Sequence, residues 1–225
     1  MKTRSGFVSN SSSTSFLIVF RKKPKSWNDV KEELFNNQDG IIEYGSETKT
    51  YDEISQQLFK DIRRNSKLSE SKLRAIFWYL IGNDIDECIR SKENIQYRIR
   101  RLEYLYPMMI TEPLKKLLIE YSEFLKQQEV IDDSFTHIYG DDNLKDIEDD
   151  TNKYYDLVFN EYNSKRLTFN ERLNKYIDII SKSRAEQFIS RHKGWWYTGV
   201  NYSDNCLMEG GNIFQHIEHI SISDR

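Results

Sequence analysis

The sequence predicts an α+β fold: a small sheet formed by N- and C-terminal strands, with a large helical body inserted between them. Three observations carry this. Short, apolar, β-prone segments lie near both ends, at Phe16–Phe20, Trp196–Tyr202 and Ile217–Ser223. The long middle places apolar residues at helical spacing. Only 3 prolines and 9 glycines punctuate 225 residues, which favours long helices. Ends that meet in one sheet make residues 1–225 a single domain, with residues 66–190 as a helical insertion within it.

Phe16–Phe20 is closed by a basic cluster and Pro24, the pattern of a buried strand. Before it, Ser9–Ser15 is almost purely Ser, Thr and Asn, side chains that bond nearby backbone and favour turns. Ser26 and Asp29 resemble a capping box with Asp in place of Glu, and Trp27, Val30 and Leu34 follow on one helical face. Ile41–Tyr44 reads as a short strand after the Asp39-Gly40 turn. Thr50 and Glu53 form a second capping box, ahead of Tyr51, Ile54, Leu58 and Ile62 at helical spacing. A third helix starts at Ser69, with Leu68 and Leu73 placed as a hydrophobic staple. Ala75–Ile81 is apolar all round, which marks a central helix, and Gly82 is its expected C-cap.

Residues 84–106 read as one long helix ended by Pro107, and residues 112–128 as an amphipathic helix with Pro113 in its first turn. The acidic run Asp141–Asp150 is the expected break. Two helices follow, one over residues 152–163 and one opened by a capping box at Thr168 and Glu171. From Gly194 the chain turns aromatic and glycine-punctuated, and Ile213–Ser223 reads as a strand or as a short helical turn leading into one.

Net charge is −3, so nothing global favours nucleic acid or an anionic membrane. Aromatics at 13% argue against a disordered chain. Cys88 and Cys206 fit no zinc or CxxC spacing and read as free thiols in a reducing cytosol. The apolar run behind the basic start is too short for a secretory signal, and no stretch approaches the ~20 apolar residues of a membrane span. A soluble, cytoplasmic protein is expected.

The segment Arg4-Ser5-Gly6-Phe7-Val8-Ser9-Asn10-Ser11-Ser12-Ser13-Thr14-Ser15-Phe16 resembles an N-terminal motif, R-x-GFVSNSSSSSF before an apolar strand, of uncharacterised bacteriophage and bacterial proteins. Thr14 departs from that pattern but keeps the hydroxyl. The following KKPKSWNDVKEELF, and near the C-terminus SDN, GG-x-IF and HI-x-IS, are similar to phage members as well. The resemblance implies a phage or phage-like source, hence a host-cell cytoplasm. It implies no activity.

Four groups of residues are candidates for function. Arg4, Asn10, Ser11, Ser12 and Ser13 can bind an anion through hydroxyls and backbone N–H groups, although no Walker pattern is present. Asp204, His216, Glu218 and His219 offer acid–base chemistry. In a strand His216 and Glu218 share a face; in a helical turn His216 and His219 do. The HxxH pair lacks the Glu of HExxH, so no metal is assigned. The basic residues Lys60, Arg63, Arg64, Lys67, Arg98, Arg100 and Arg101 read as solvated helix faces, interleaved as they are with acids. Trp195 and Trp196 are interface candidates, and alternation predicts one buried and one more exposed.

The leading expectation is a phage accessory protein that binds a protein partner or itself. The alternative is an enzyme acting on a nucleotide or other phosphate-containing substrate, with the Ser-rich loop holding the anion and the C-terminal His/Asp/Glu group doing the chemistry. That alternative requires the loop and the histidines to share one cleft. The sequence indicates no particular cofactor.

Overall fold

The computed structural model describes residues 13–91, 93–139, 148–203, 207–210 and 213–223. Their order is β1 (Ser13–Phe20), α1 (Trp27–Phe35), β2 (Ile41–Tyr44), β3 (Glu47–Thr50), α2 (Tyr51–Ile62), α3 (Glu70–Arg90), α4 (Ile95–Leu105), α5 (Glu112–Tyr139), α6 (Glu148–Arg191), β4 (Trp196–Ser203), α7 (Leu207–Gly210), a 3-10 turn (Ile213–His216) and β5 (His219–Ser223). Two compact units result. One is built from the ends of the chain, up to Ile76 and from Arg184; the other is Phe77–Ser183.

In the first unit β1 is the middle strand of an antiparallel sheet ordered β4-β1-β5. Phe20 lies opposite Trp196, Phe16 opposite Val200 and Ser221, and Ile18 opposite Thr198 and His219. The apolar N-terminal segment thus pairs with the C-terminal ones, as their shared shortness requires: a two-stranded ribbon alone is marginal. Phe16, Ile18 and Phe20 point to one face, where they form a core with Val30, Leu34, Ile54 and Leu58 of α1 and α2. On the other face Tyr197 meets the ring of Phe188 of α6 edge-on, with centroids 5.2 Å apart. β2 and β3 make a separate hairpin with Gly45 in the left-handed conformation; β3 carried no apolar signal in the sequence.

Both expected capping boxes are present. The Ser26 hydroxyl accepts from Asp29 N–H at 3.3 Å while the Asp29 carboxylate accepts from Ser26 N–H at 3.0 Å. Thr50 and Glu53 reciprocate at 3.2 and 2.8 Å. Lys31, 11% exposed at its side chain, reaches Asp39 at 2.6 Å and Asp52 at 2.7 Å and ties α1 to the turn and to α2.

The second unit is helical. Phe77, Ile81, Ile85 and Ile89 of α3 are buried, as are Leu114, Leu117, Leu118 and Tyr121 of α5 and Leu173, Ile177 and Ile180 of α6. Aromatic stacking joins α5 to α6: Tyr121 lies on Phe169 at 4.7 Å, and Phe124 on Tyr162 at 5.3 Å.

Several helix boundaries differ from expectation. α3 runs through Gly82, where Ile177 of α6 packs close to the missing side chain, and it is not buried all round, since Trp78 is 39% exposed. The expected helix over residues 84–106 is interrupted: α3 ends at Arg90, and Asn94 caps α4 by accepting from Gln96 N–H at 2.8 Å. The two helices expected after residue 151 are one, because no Gly or Pro occurs in Glu148–Arg191 and the Thr168 hydroxyl donates back to Ser164 C=O at 3.0 Å instead of capping. Of the acidic run, residues 141–147 lie outside the described residues and residues 148–150 open α6.

Candidate functional site

Arg4, Asn10, Ser11, Ser12 and Asp204 lie outside the described residues, and Ser13 is the first residue of β1, opposite Ser203. His216, Glu218 and His219 are described, and each has its own partner. His216 is exposed at the end of the 3-10 turn, with Nε2 3.0 Å from Gln215 Nε2. His219 opens β5; its Nδ1 lies 3.1 Å from Ile217 C=O and its ring borders Phe16 and Phe214. Neither a shared strand nor a shared helical turn relates the two histidines.

Glu218 turns to a residue that the sequence reading passed over. His192 is 1% exposed, its Nδ1 2.8 Å from Phe188 C=O and its Nε2 2.6 Å from the Glu218 carboxylate. Both ring nitrogens are therefore occupied, and the pair fastens the end of α6 to the start of β5. The signal was present in the sequence: Ile177, Ser181, Ala185, Phe188 and His192 continue one buried stripe at spacings of three and four. Trp196 belongs to the core against Phe20, and Trp195 is 36% exposed, so the expected alternation of the two holds.

Cys88 is buried, and desolvation pushes its thiol up to about 11, away from nucleophilic use. Among the described residues no cluster of three His, Cys, Asp or Glu is spaced to hold a metal ion, and no described helix is long and apolar enough to cross a membrane.

A cleft of about 590 Å3 lies along the outer edge of β4. Its floor is the strand itself, Thr198–Asn201, and its wall is the end of α2, the connection into α3 and the first turn of α3, with Asp61, Arg64, Asn65, Ser66 and Lys72. The basic residues Arg63, Arg64 and Lys67 are thus not on a helix face. α2 stops at Ile62, and the connection doubles back along β4.

Four bonds hold it there. Lys67 Nζ donates to Trp195 C=O at 2.5 Å, Leu68 N–H to Tyr197 C=O at 3.1 Å, Asn65 Nδ2 to Gly199 C=O at 3.1 Å, and the Thr198 hydroxyl to Ser66 C=O at 3.4 Å. Lys23 Nζ reaches Asn65 C=O at 2.9 Å from the other side. Asp61 is engaged by the Gln57 amide at 2.9 Å and the Tyr202 hydroxyl at 3.0 Å. Arg64 and Lys72 make no ion pair among the described residues. The result is an open cleft beside a strand edge, lined by two cations that make no ion pair among the described residues and by one carboxylate, Asp61.

Neither a protein-family model, nor a curated protein, nor a solved structure matches this chain.

Proposed function

We propose that this protein acts by binding another protein, or a second copy of itself, in the cleft at the β4 edge. The N-terminal motif adds the setting, an accessory protein of a bacteriophage working in the host cytoplasm. The observation that carries the reading is the cleft. It is large, it is open, and it sets Arg64 and Lys72, which make no ion pair among the described residues, beside strand backbone. Polar rims of this kind give orientation and specificity more than raw affinity.

The test is site-specific photo-crosslinking in the cells that make the natural protein. A photo-crosslinking amino acid replaces Lys72 or Asn201 in the cleft, or Glu161 on the exposed surface of α6 as a control. One discrete protein adduct is expected from the two cleft positions, absent from the control and weakened at least fivefold by Arg64→Glu. No adduct, or the same adducts from all three positions, refutes the reading.

A further inference from the structure

The outer edge of β4 is only half covered. In β1 the odd residues turn their backbone towards β5, as Val19 N–H donating to Glu218 C=O at 3.1 Å shows. The even ones face β4. Antiparallel pairing of Phe16 with Val200 and Ile18 with Thr198 then turns the backbone groups of Tyr197, Gly199 and Asn201 outward. The carbonyls of Tyr197 and Gly199 are taken by Leu68 and Asn65. Beyond them the coverage stops. The Gly199 N–H and both backbone groups of Asn201 have no partner among the described residues, and Asn201 is exposed. They lie on the floor of the cleft that Arg64 and Lys72 line.

An exposed strand edge is a template for another strand. Natural edges are usually blunted by a proline, a bulge or a cover; here the cover runs along β4 only as far as Gly199. Gly199 has no side chain to stand in the way.

We infer that the cleft takes an extended, acidic peptide segment of a partner protein, which adds a strand to the sheet alongside Gly199–Ser203. This rests on the binding role proposed above and specifies its mode. Charge complementarity selects the occupant. The lining carries two cations, Arg64 and Lys72, which make no ion pair among the described residues, against one carboxylate, Asp61, whose oxygens accept from the neutral Gln57 amide and Tyr202 hydroxyl, so the balance of the lining is positive. In an extended ligand, side chains two residues apart stand about 7 Å apart on one side. Alternate carboxylates can therefore face Arg64 and Lys72 while the ligand backbone pairs with Asn201.

The test uses the full chain and two fluorescent seven-residue peptides, one alternating glutamate with threonine, the other lysine with threonine. The acidic peptide should bind and the basic one should not; Arg64→Glu with Lys72→Glu should weaken the acidic peptide at least tenfold. Asn201→Pro removes the outward N–H, which an edge strand tolerates, and, as Asn201→Ala does too, the side-chain acceptor of the Ser15 hydroxyl; it should weaken binding about fivefold or more. Asn201→Ala, which keeps that N–H, should stay within twofold. Should Asn201→Pro fail to fold, amide exchange decides: peptide must slow exchange at Gly199 and Asn201 in the unaltered chain. Equal effects of the proline and alanine variants, or unchanged exchange, overturn strand addition while leaving the cleft as a binding site. Equal binding of both peptides overturns the acidic assignment. A dimer of the protein alone that Asn201→Pro dissociates assigns the edge to a second copy and also overturns it. If neither peptide binds and the cleft crosslinks to nothing, the binding role falls with it.

Discussion

At the scale of single residues, Gly40 has no room for a side chain. A methyl group placed there would sit 2.6 Å from Cζ of Tyr51. Tyr51 cannot swing aside freely, because its ring stacks on Phe35 at 3.9 Å and its N–H donates to Gly40 C=O at 2.9 Å. Gly40→Ala should therefore cost about 1–3 kcal/mol in denaturant unfolding, the range for overpacking. Most of that cost should vanish in a Tyr51→Leu background. An undiminished cost there would locate the strain in the backbone instead. Charge acts at this scale as well. The Lys25 and Ser26 N–H groups hold the Asp29 carboxyl below its ordinary range, and the Lys31 ammonium does the same for Asp39. A depressed carboxyl stabilises the fold above its unfolded pKa of about 3.9, and that contribution is lost as pH falls through the lower folded value. Asp29→Asn with Asp39→Asn should flatten the fall in stability between about pH 5 and pH 2. Lys31, raised first by Asp39 and then by Asp52, acts with the opposite sign: its contribution is lost only as pH rises through a value above the ordinary lysine range. Urea titrations across both limbs check this.

At the scale of elements, two threonines that look alike in sequence differ in use. Thr50 accepts from Glu53 N–H and starts α2, so Thr50→Ala should cost about 1 kcal/mol. Thr168 sits inside α6 and bonds back to Ser164, so Thr168→Ala should be neutral or slightly stabilising, alanine being the better helix former. Thermal unfolding of the two variants separates them, and equal losses would mean that α6 is broken near residue 168. A capping box is a local signal, necessary but insufficient. At Thr50 the hairpin that precedes it compels a start. At Thr168 the preceding Lys165-Arg166-Leu167 is itself good helix, so the chain continues.

At the scale of the molecule, β4 and β5 complete the sheet around β1, and removal of residues 194–225 takes both away. The truncated chain should lose the cooperative unfolding of the first unit, read by near-ultraviolet circular dichroism and, in a Trp78→Phe background, by the fluorescence of Trp27. A sharp, native-like transition in it would show that β1 is stable without its partners. The architecture was legible because its evidence was local. Phe16–Phe20 is apolar and partly β-branched where a strand is, and Ser26 and Thr50 cap where helices start. The cleft was not legible, since Asn65 and Gly199, the pair that closes its end, are 134 residues apart. Arg64 and Lys67 read as helix surface because nothing in their neighbourhood records that α2 ends at Ile62 and that the chain then follows β4.

That long separation also sets a clock. Ser15 is bonded to Asn201 across 186 residues, so at translation rates of 5–20 residues per second β1 leaves the ribosome roughly ten to forty seconds before β4 exists. Throughout that interval Phe16–Phe20 is an apolar pentapeptide without a β4 strand to pair with. The nascent chain has to shelter it, in a chaperone or in transient contact with α1 and α2, which are already made. The three-stranded sheet cannot be completed until β4 and β5 have been synthesised, although its central strand is among the first parts made.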